Sequence, residues 1–139
     1  MLSFLSWSKS VAGLQNGQLK PCPASPNCVC SGKGAAISDP VHAIAPLNFQ
    51  GTPAEAWERL AAVLQAYPRT KVVTRTETYL HAECSTPVLR FVDDVEFLLV
   101  PNRQLIQVRS ASRIGYSDLG ANRKRVDELR RRFEAAAPQ

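Results

Sequence analysis

No stretch of the chain approaches the ~20 consecutive apolar residues that a membrane-crossing helix requires. The first residues lack the early basic region of a secretory signal, and Ser3, Ser6, Ser8 and Lys9 interrupt any apolar run there. A cytoplasmic location is therefore expected, with peripheral membrane association as the alternative. That alternative rests on Met1, Phe4, Trp7, Val11 and Leu14, whose near-helical spacing fits a short interfacial helix as well as an arm packed on the domain. Catalytic signatures are missing too. There is no G-x-S-x-G elbow, no H-E-x-x-H, no Walker loop and no dinucleotide fingerprint. Only two histidines occur, His42 and His81, and both lie far from the serine-rich region, so a triad has no support. Internal repeats and low-complexity segments are absent.

With 139 residues, 45% of them apolar and 21% charged, the chain suits one globular domain and one core. Seventeen Lys and Arg against twelve Asp and Glu give +5, and six of the basic residues fall between Arg123 and Arg132. Such a run is either a solvated helix face or a surface for anionic partners. It has no interleaved aromatics for base stacking, so nucleic acid is not expected.

The fold class read from the pattern is α+β. An antiparallel sheet of about four to five strands packs on two amphipathic helices, preceded by a Cys/Pro-rich loop segment. Residues 1–17 form an arm and residues 18–136 the domain. Prolines at 21, 23 and 26 exclude a helix around Cys22, Cys28 and Cys30. Cys22 and Cys28 enclose five residues, a spacing compatible with a disulfide if the loop turns back. The C-x5-C-x-C run matches no common zinc or iron–sulfur pattern, and neither metal nor cofactor is expected. Ile44 to Phe49 reads as a short edge strand broken by Pro46.

Thr52-Pro53-Ala54-Glu55 is a capping box with proline at the first helical position, and Trp57, Leu60, Ala61 and Leu64 supply a core stripe that ends at Pro68. Strands follow at Val72–Thr76, Tyr79–Cys84, Val88–Val100 and Leu105–Ser112. On the longest, Leu89, Phe91, Val95, Phe97 and Leu99 face inward, opposite Arg90, Asp94 and Glu96. A loop from Pro101 to Gln104 is preferred over a two-residue turn, because proline suits the longer loop. That choice sets Glu96 across from Arg109 and Asp93 across from Ser112. The last helix carries Leu119, Asn122, Val126, Leu129 and Phe133 on one stripe.

Two polar residues break the pattern: Asp93 among the inward residues of its strand, and Asn122 on the inward stripe of its helix. Asp93 must be paired, hydrogen-bonded or neutral if buried, or a bulge at Asp93-Asp94 turns it outward. The region from Arg109 to Arg123 leads from a strand into a helix start, a setting that either binds an anion or forms a capping network through Ser117, Asp118 and Asn122.

Four stretches resemble the domain-of-unknown-function family numbered 1499: Cys22-Pro23 through Ser25-Pro26-Asn27-Cys28-Val29, Arg90 to Phe97, Val108 to Arg113, and Gly115 to Gly120 with Asn122-Arg123. The resemblance implies no assigned reaction. It does imply a family with many exported or lipid-anchored members, from which this chain departs in lacking a clear export signal. Cys30 stands where other members often have serine. The leading expectation is a non-catalytic accessory or binding module, whose partner is a protein complex or membrane-associated assembly. The contact set is Asp93, Asp94, Glu96, Arg109, Ser110, Ser112, Arg113, Tyr116, Asp118, Asn122 and Arg123. One alternative is a small hydrolase or transferase using Asp93 or Asp94, with Arg109 or Arg113 holding an anionic substrate and Asp93 and Arg113 in one site. The other is a lipid or small apolar ligand binder with a cavity behind Trp57 and Phe97.

Overall fold

A computed structural model describes residues 11–36, 38–87, 90–115 and 118–138. The expected Met1–Trp7 part of the arm, Leu89, Tyr116 and Ser117 lie outside the described residues. Alternation of apolar side chains in two long segments builds the centre of the fold, the hairpin of β7 (Val92–Val100) and β8 (Leu105–Ser112). A single 3-10 turn, Pro101–Arg103, joins them, with Gln104 left-handed at φ 51°. The longer loop is thus the one formed, and it sets Glu96 opposite Arg109 and Asp93 opposite Ser112.

Four further strands extend the sheet antiparallel. β6 (Tyr79–Ser85) pairs with β7, and β5 (Thr70–Arg75) forms one edge. Along the other side of β8 lie β3 (Cys28–Cys30) and β4 (Leu47–Asn48), against its C-terminal and N-terminal halves. The count is six rather than four to five, because the Cys/Pro-rich segment contributes β3. A separate two-stranded ribbon, β1 (Leu14–Gln15) and β2 (Gln18–Leu19), precedes it. Its turn spans the expected boundary between arm and domain.

Helix α1 (Pro53–Ala66) starts as the capping box predicts, with the Glu55 amide donating to the Thr52 hydroxyl at 3.1 Å. Its buried Trp57, Leu60, Ala61 and Leu64 pack with Phe97, Leu80, Val95 and Val108 of one sheet face. Helix α2 (Ala121–Ala135) adds Val126, Leu129 and Phe133 to the same core. Leu119 does not join that stripe: it precedes the helix at φ 54° and is 88% exposed. The Ile44–Phe49 strand shortens to Leu47–Asn48 after Pro46. At the other end of β7, Arg90 at φ 55° breaks the extended path, so the strand begins at Val92.

Candidate functional site

The two faces of the central hairpin hold two separate polar groups, because side chains alternate across a strand. Register is continuous through Asp93 and Asp94, which pair with Cys84 and Glu83 on one side and with Ser112 and Ala111 on the other. No bulge re-aims either side chain. Asp93 points to the helices and Asp94 to the opposite face.

On the helix side, Asp93 is 3% exposed and receives Arg125 Nη2 at 2.7 Å. Arg125 reaches on to Asn122 Oδ1 at 2.8 Å, which also accepts the Ser110 hydroxyl at 2.6 Å. The Asn122 amide donates to the Ser112 hydroxyl, the Asn27 carbonyl and the Asp118 carboxylate. Asp118 accepts the backbone N–H groups of Gly120 and Asn122 as well. With the Ala121 N–H on the Asp118 carbonyl, Asp118 takes two of the free N–H groups in the first turn of α2, so Asp118 and Asn122 form a capping network there. Burial pushes the Asp93 carboxyl above its ordinary range even with Arg125 beside it. Burial acts on Asp118 too, but hydrogen bonds from Asn122 and the turn outweigh it and hold that carboxyl low.

On the opposite face, Asp94 is equally buried. Burial alone would raise its carboxyl, but His81 Nε2 at 2.6 Å and a two-pronged Arg113 at 2.9 and 3.0 Å hold it low. Arg113 also donates to Glu83 at 2.6 Å. Beside them Glu96, fully buried, accepts the Tyr79 hydroxyl and the Gly13 N–H, each at 2.7 Å, and Arg109 Nη1 at 3.4 Å. Arg109 Nη2 reaches the Pro21 carbonyl at 3.4 Å. The segment carrying β1 and β2 therefore covers this face, which explains why Asp94 and Glu96 are buried on the side read as polar. His81, Glu83 and Asp94 bring ligand-type atoms within 4.8 Å of one another, but the Arg113 guanidinium already sits on both carboxylates.

The expected contact set thus divides. Asp93, Ser110, Ser112, Asp118 and Asn122 meet on the helix side, whereas Asp94, Glu96, Arg109 and Arg113 meet on the other. Asp93 and Arg113 do not share a site. Arg123 belongs to neither group: its guanidinium donates to the carbonyls of Pro40, Val41 and Ala43. Arg130 does the same for Ala45 and Pro46, so part of the basic run staples the loop before β4 to α2. Sequence reasoning missed Arg125 as the partner of Asp93; the signal was its i+3 position after Asn122, on the same helix face. Tyr79 and His81 were missed because their face was not recognised as covered.

The β8–α2 corner is where this interior meets solvent. A cleft of about 420 Å³ opens there, with Phe91, Ile114, Leu119 and Ala121 among its walls and Thr86, Asp93, Ser112 and Asp118 as its polar part. Trp57 and Phe97 are packed in the core, and the cleft beside Trp57 lies at the surface with Glu58 and Arg75. Cys22 and Cys28 form a disulfide, while Cys30 and Cys84 are buried free thiols whose burial pushes them up. No described helix is long and apolar enough to cross a membrane.

Among curated proteins the chain finds no match. A family model does match: it is described as a protein of unknown function, DUF1499, it spans residues 18–133, and the chain belongs to that family.

Proposed function

We propose that the protein is a non-catalytic accessory module that binds a protein partner through the β8–α2 corner, residues 113–115 and 118–121. The observation that carries this reading is Leu119, a large apolar side chain left 88% exposed on a left-handed backbone at the rim of an apolar-walled cleft. That conformation costs a non-glycine residue roughly 1–2 kcal/mol, and such outliers cluster at ligand clamps. The buried ion pairs on both faces support the reading as a scaffold: they fix the two strands from which the corner projects. Asp93, Asp94, Glu96, Arg109, Ser110 and Asn122 are too buried to be the contact surface itself.

The hydrolase or transferase reading draws less support. Its acids and its anion-holding arginines lie on opposite sheet faces or are already paired. The Cys22–Cys28 disulfide favours an oxidising compartment over the cytoplasm expected from the sequence.

Affinity capture with Leu119→Asp and Leu119→Gly variants tests the proposal. Both leave stability near the wild-type value, since the side chain is exposed and glycine accepts the positive φ. A partner retained by wild type and lost from the Asp variant is the expected result. A partner held equally by all three forms overturns it.

A further inference from the structure

We propose that Cys30 is the exchange partner of the Cys22–Cys28 disulfide, so that three neighbouring sulfurs form one thiol–disulfide exchange centre in which the bridge passes between Cys28 and Cys30. The proposal stands apart from the reading of the β8–α2 corner.

The placement follows from β3. Residues two apart on a strand point to one sheet face, so Cys28 and Cys30 both project away from the helices, about 6.7 Å apart along the strand. Cys22 lies alongside both. Its sulfur is bonded to Cys28, while its backbone N–H serves Cys30 Sγ and the Gly34 carbonyl, the latter at 3.3 Å. Gly34 marks the same spot independently: a methyl group there would meet Cys30 Sγ at 2.7 Å and Pro21 Cα at 3.3 Å. The Cys30 sulfur is therefore within side-chain reach of Cys22.

Arg109 makes this face receptive to a thiolate. It stands opposite Cys30 in the pairing of β3 with β8 and is 3% exposed. Its hydrogen bonds to Glu96 and to the Pro21 carbonyl are both long, 3.4 Å, and its Nε has no acceptor among the described residues. A sulfur anion on this face gives the buried guanidinium a further acceptor. Burial pushes the Cys30 thiol up; the Cys22 N–H and Arg109 offset part of that, and Asp39 adds to it. The attacking thiolate is thus scarce at neutral pH, and exchange quickens in base.

The step balances without an oxidant. Cys30 gives its proton to water, its thiolate attacks Cys22 Sγ, the Cys22–Cys28 bond breaks, and Cys28 leaves as a thiolate that takes up a proton. One S–S bond forms and one breaks, so the number of free thiols is unchanged. The bridge then closes a loop longer by two residues and leaves the free thiol beside Asn27, which holds Gly115 and Ser112 through its amide and carbonyl. Cys84 takes no part, because it lies on the helix side of the sheet within the apolar core.

The test alkylates the full, oxidised chain in its native state with N-ethylmaleimide at about pH 8.5, where a free thiol is half ionised. Digestion in acid and peptide fragmentation then locate the label. Label is expected at Cys28 as well as Cys30, and every chain labelled at Cys28 carries a Cys22–Cys30 bridge. Cys84 serves as the internal clock for global unfolding. Cys28 is expected to take label at least about tenfold faster than Cys84, since exchange needs only a local opening. Cys30→Ser keeps the size of the side chain, removes the nucleophile and abolishes label at Cys28.

Label confined to Cys30 overturns the assignment, because the bridge then never moves. Cys28 labelled no faster than Cys84 overturns it in favour of scrambling in the unfolded chain. Label at Cys28 that persists in Cys30→Ser overturns it as well, since Cys30 is then not the attacking group.

Discussion

Asp93 and Asp94 are adjacent in the chain and equally buried, yet burial prevails over pairing at one and pairing over burial at the other. The difference lies in the partners each strand face supplies. Asp94 has an imidazole and a forked guanidinium; Asp93 has one Arg125 nitrogen and a hydroxyl. Removing Arg125 leaves the buried Asp93 carboxylate without its cation, a change that costs about 3–5 kcal/mol when a buried pair is broken. Arg125→Ala is therefore expected to lose about 3 kcal/mol at pH 7, near the low end because Asp93 can take up a proton. The sign with pH follows from the raised carboxyl. A folded state that holds the proton more tightly than the unfolded chain gains stability as pH falls toward the ordinary carboxylate value of about 3.9. The deficit of Arg125→Ala should thus shrink on acidification, and Asp93→Asn in the same chain should recover part of it at neutral pH. Urea denaturation of the two single variants and the double variant, at pH 7 and pH 5, measures this coupling. A deficit independent of both pH and Asp93 would assign the loss to packing.

At the scale of elements, α1 was readable because its capping box, proline and apolar stripe all point to the same helix. The β7–β8 hairpin was readable for a related reason, since proline in the loop and face matching leave one register. The second sheet face was not. Its occupants, Tyr79, His81, Asp94, Glu96 and Arg109, alternate as a solvated face would, and only the chain from Gly13 to Pro21 covering them reveals a buried layer. A short strand such as β3, between two prolines and a glycine, carries too few residues for periodicity to show. Leu119 was misplaced on the α2 stripe because spacing cannot detect a left-handed residue just before a helix.

The loop before β4 illustrates an element held by polar anchors rather than by pattern. His42 Nδ1 meets Asp39 Oδ2 at 2.7 Å, and Nε2 meets the Ser25 carbonyl at 2.9 Å. Only the doubly protonated ring donates to both. The Asp39 hydrogen bond, with help from Ser25, holds the His42 pKa above its ordinary value. A histidine raised in the folded state contributes stability that is complete below about 6.5, the unfolded value, and fades as pH rises through the folded value. Proton NMR should place the His42 midpoint above 6.5, and the wild-type unfolding temperature should fall across that window. His42→Gln should lack this component, whereas an unchanged pH profile in that variant would remove His42 as its source.

Over the whole molecule, the sheet is antiparallel and yet β7 is buried along most of both faces, which is unusual for a sheet with helices on one side only. The helices cover one face, and the stretch from Gly13 to Pro21 covers the polar layer on the other. The family match spans residues 18–133, so Gly13 and β1 lie outside it while the six-stranded sheet, α1 and all but the last two residues of α2 lie within it. A chain starting at Gln18 should therefore fold, with its β7–β8 pairing intact, but lose the Gly13 bond to Glu96. A hydrogen bond to a charged group contributes about 1.5–3 kcal/mol, and water entering beside Glu96 would offset part of that loss, so a net cost of about 1–2 kcal/mol is expected. Tyr79→Phe removes the other bond to the same Glu96 oxygen and should cost more in the full chain than in the shortened one, where water substitutes for the hydroxyl. Urea midpoints for the four combinations measure this directly. Equal losses from Tyr79→Phe in both backgrounds would mean that the covering segment does not keep Glu96 dry.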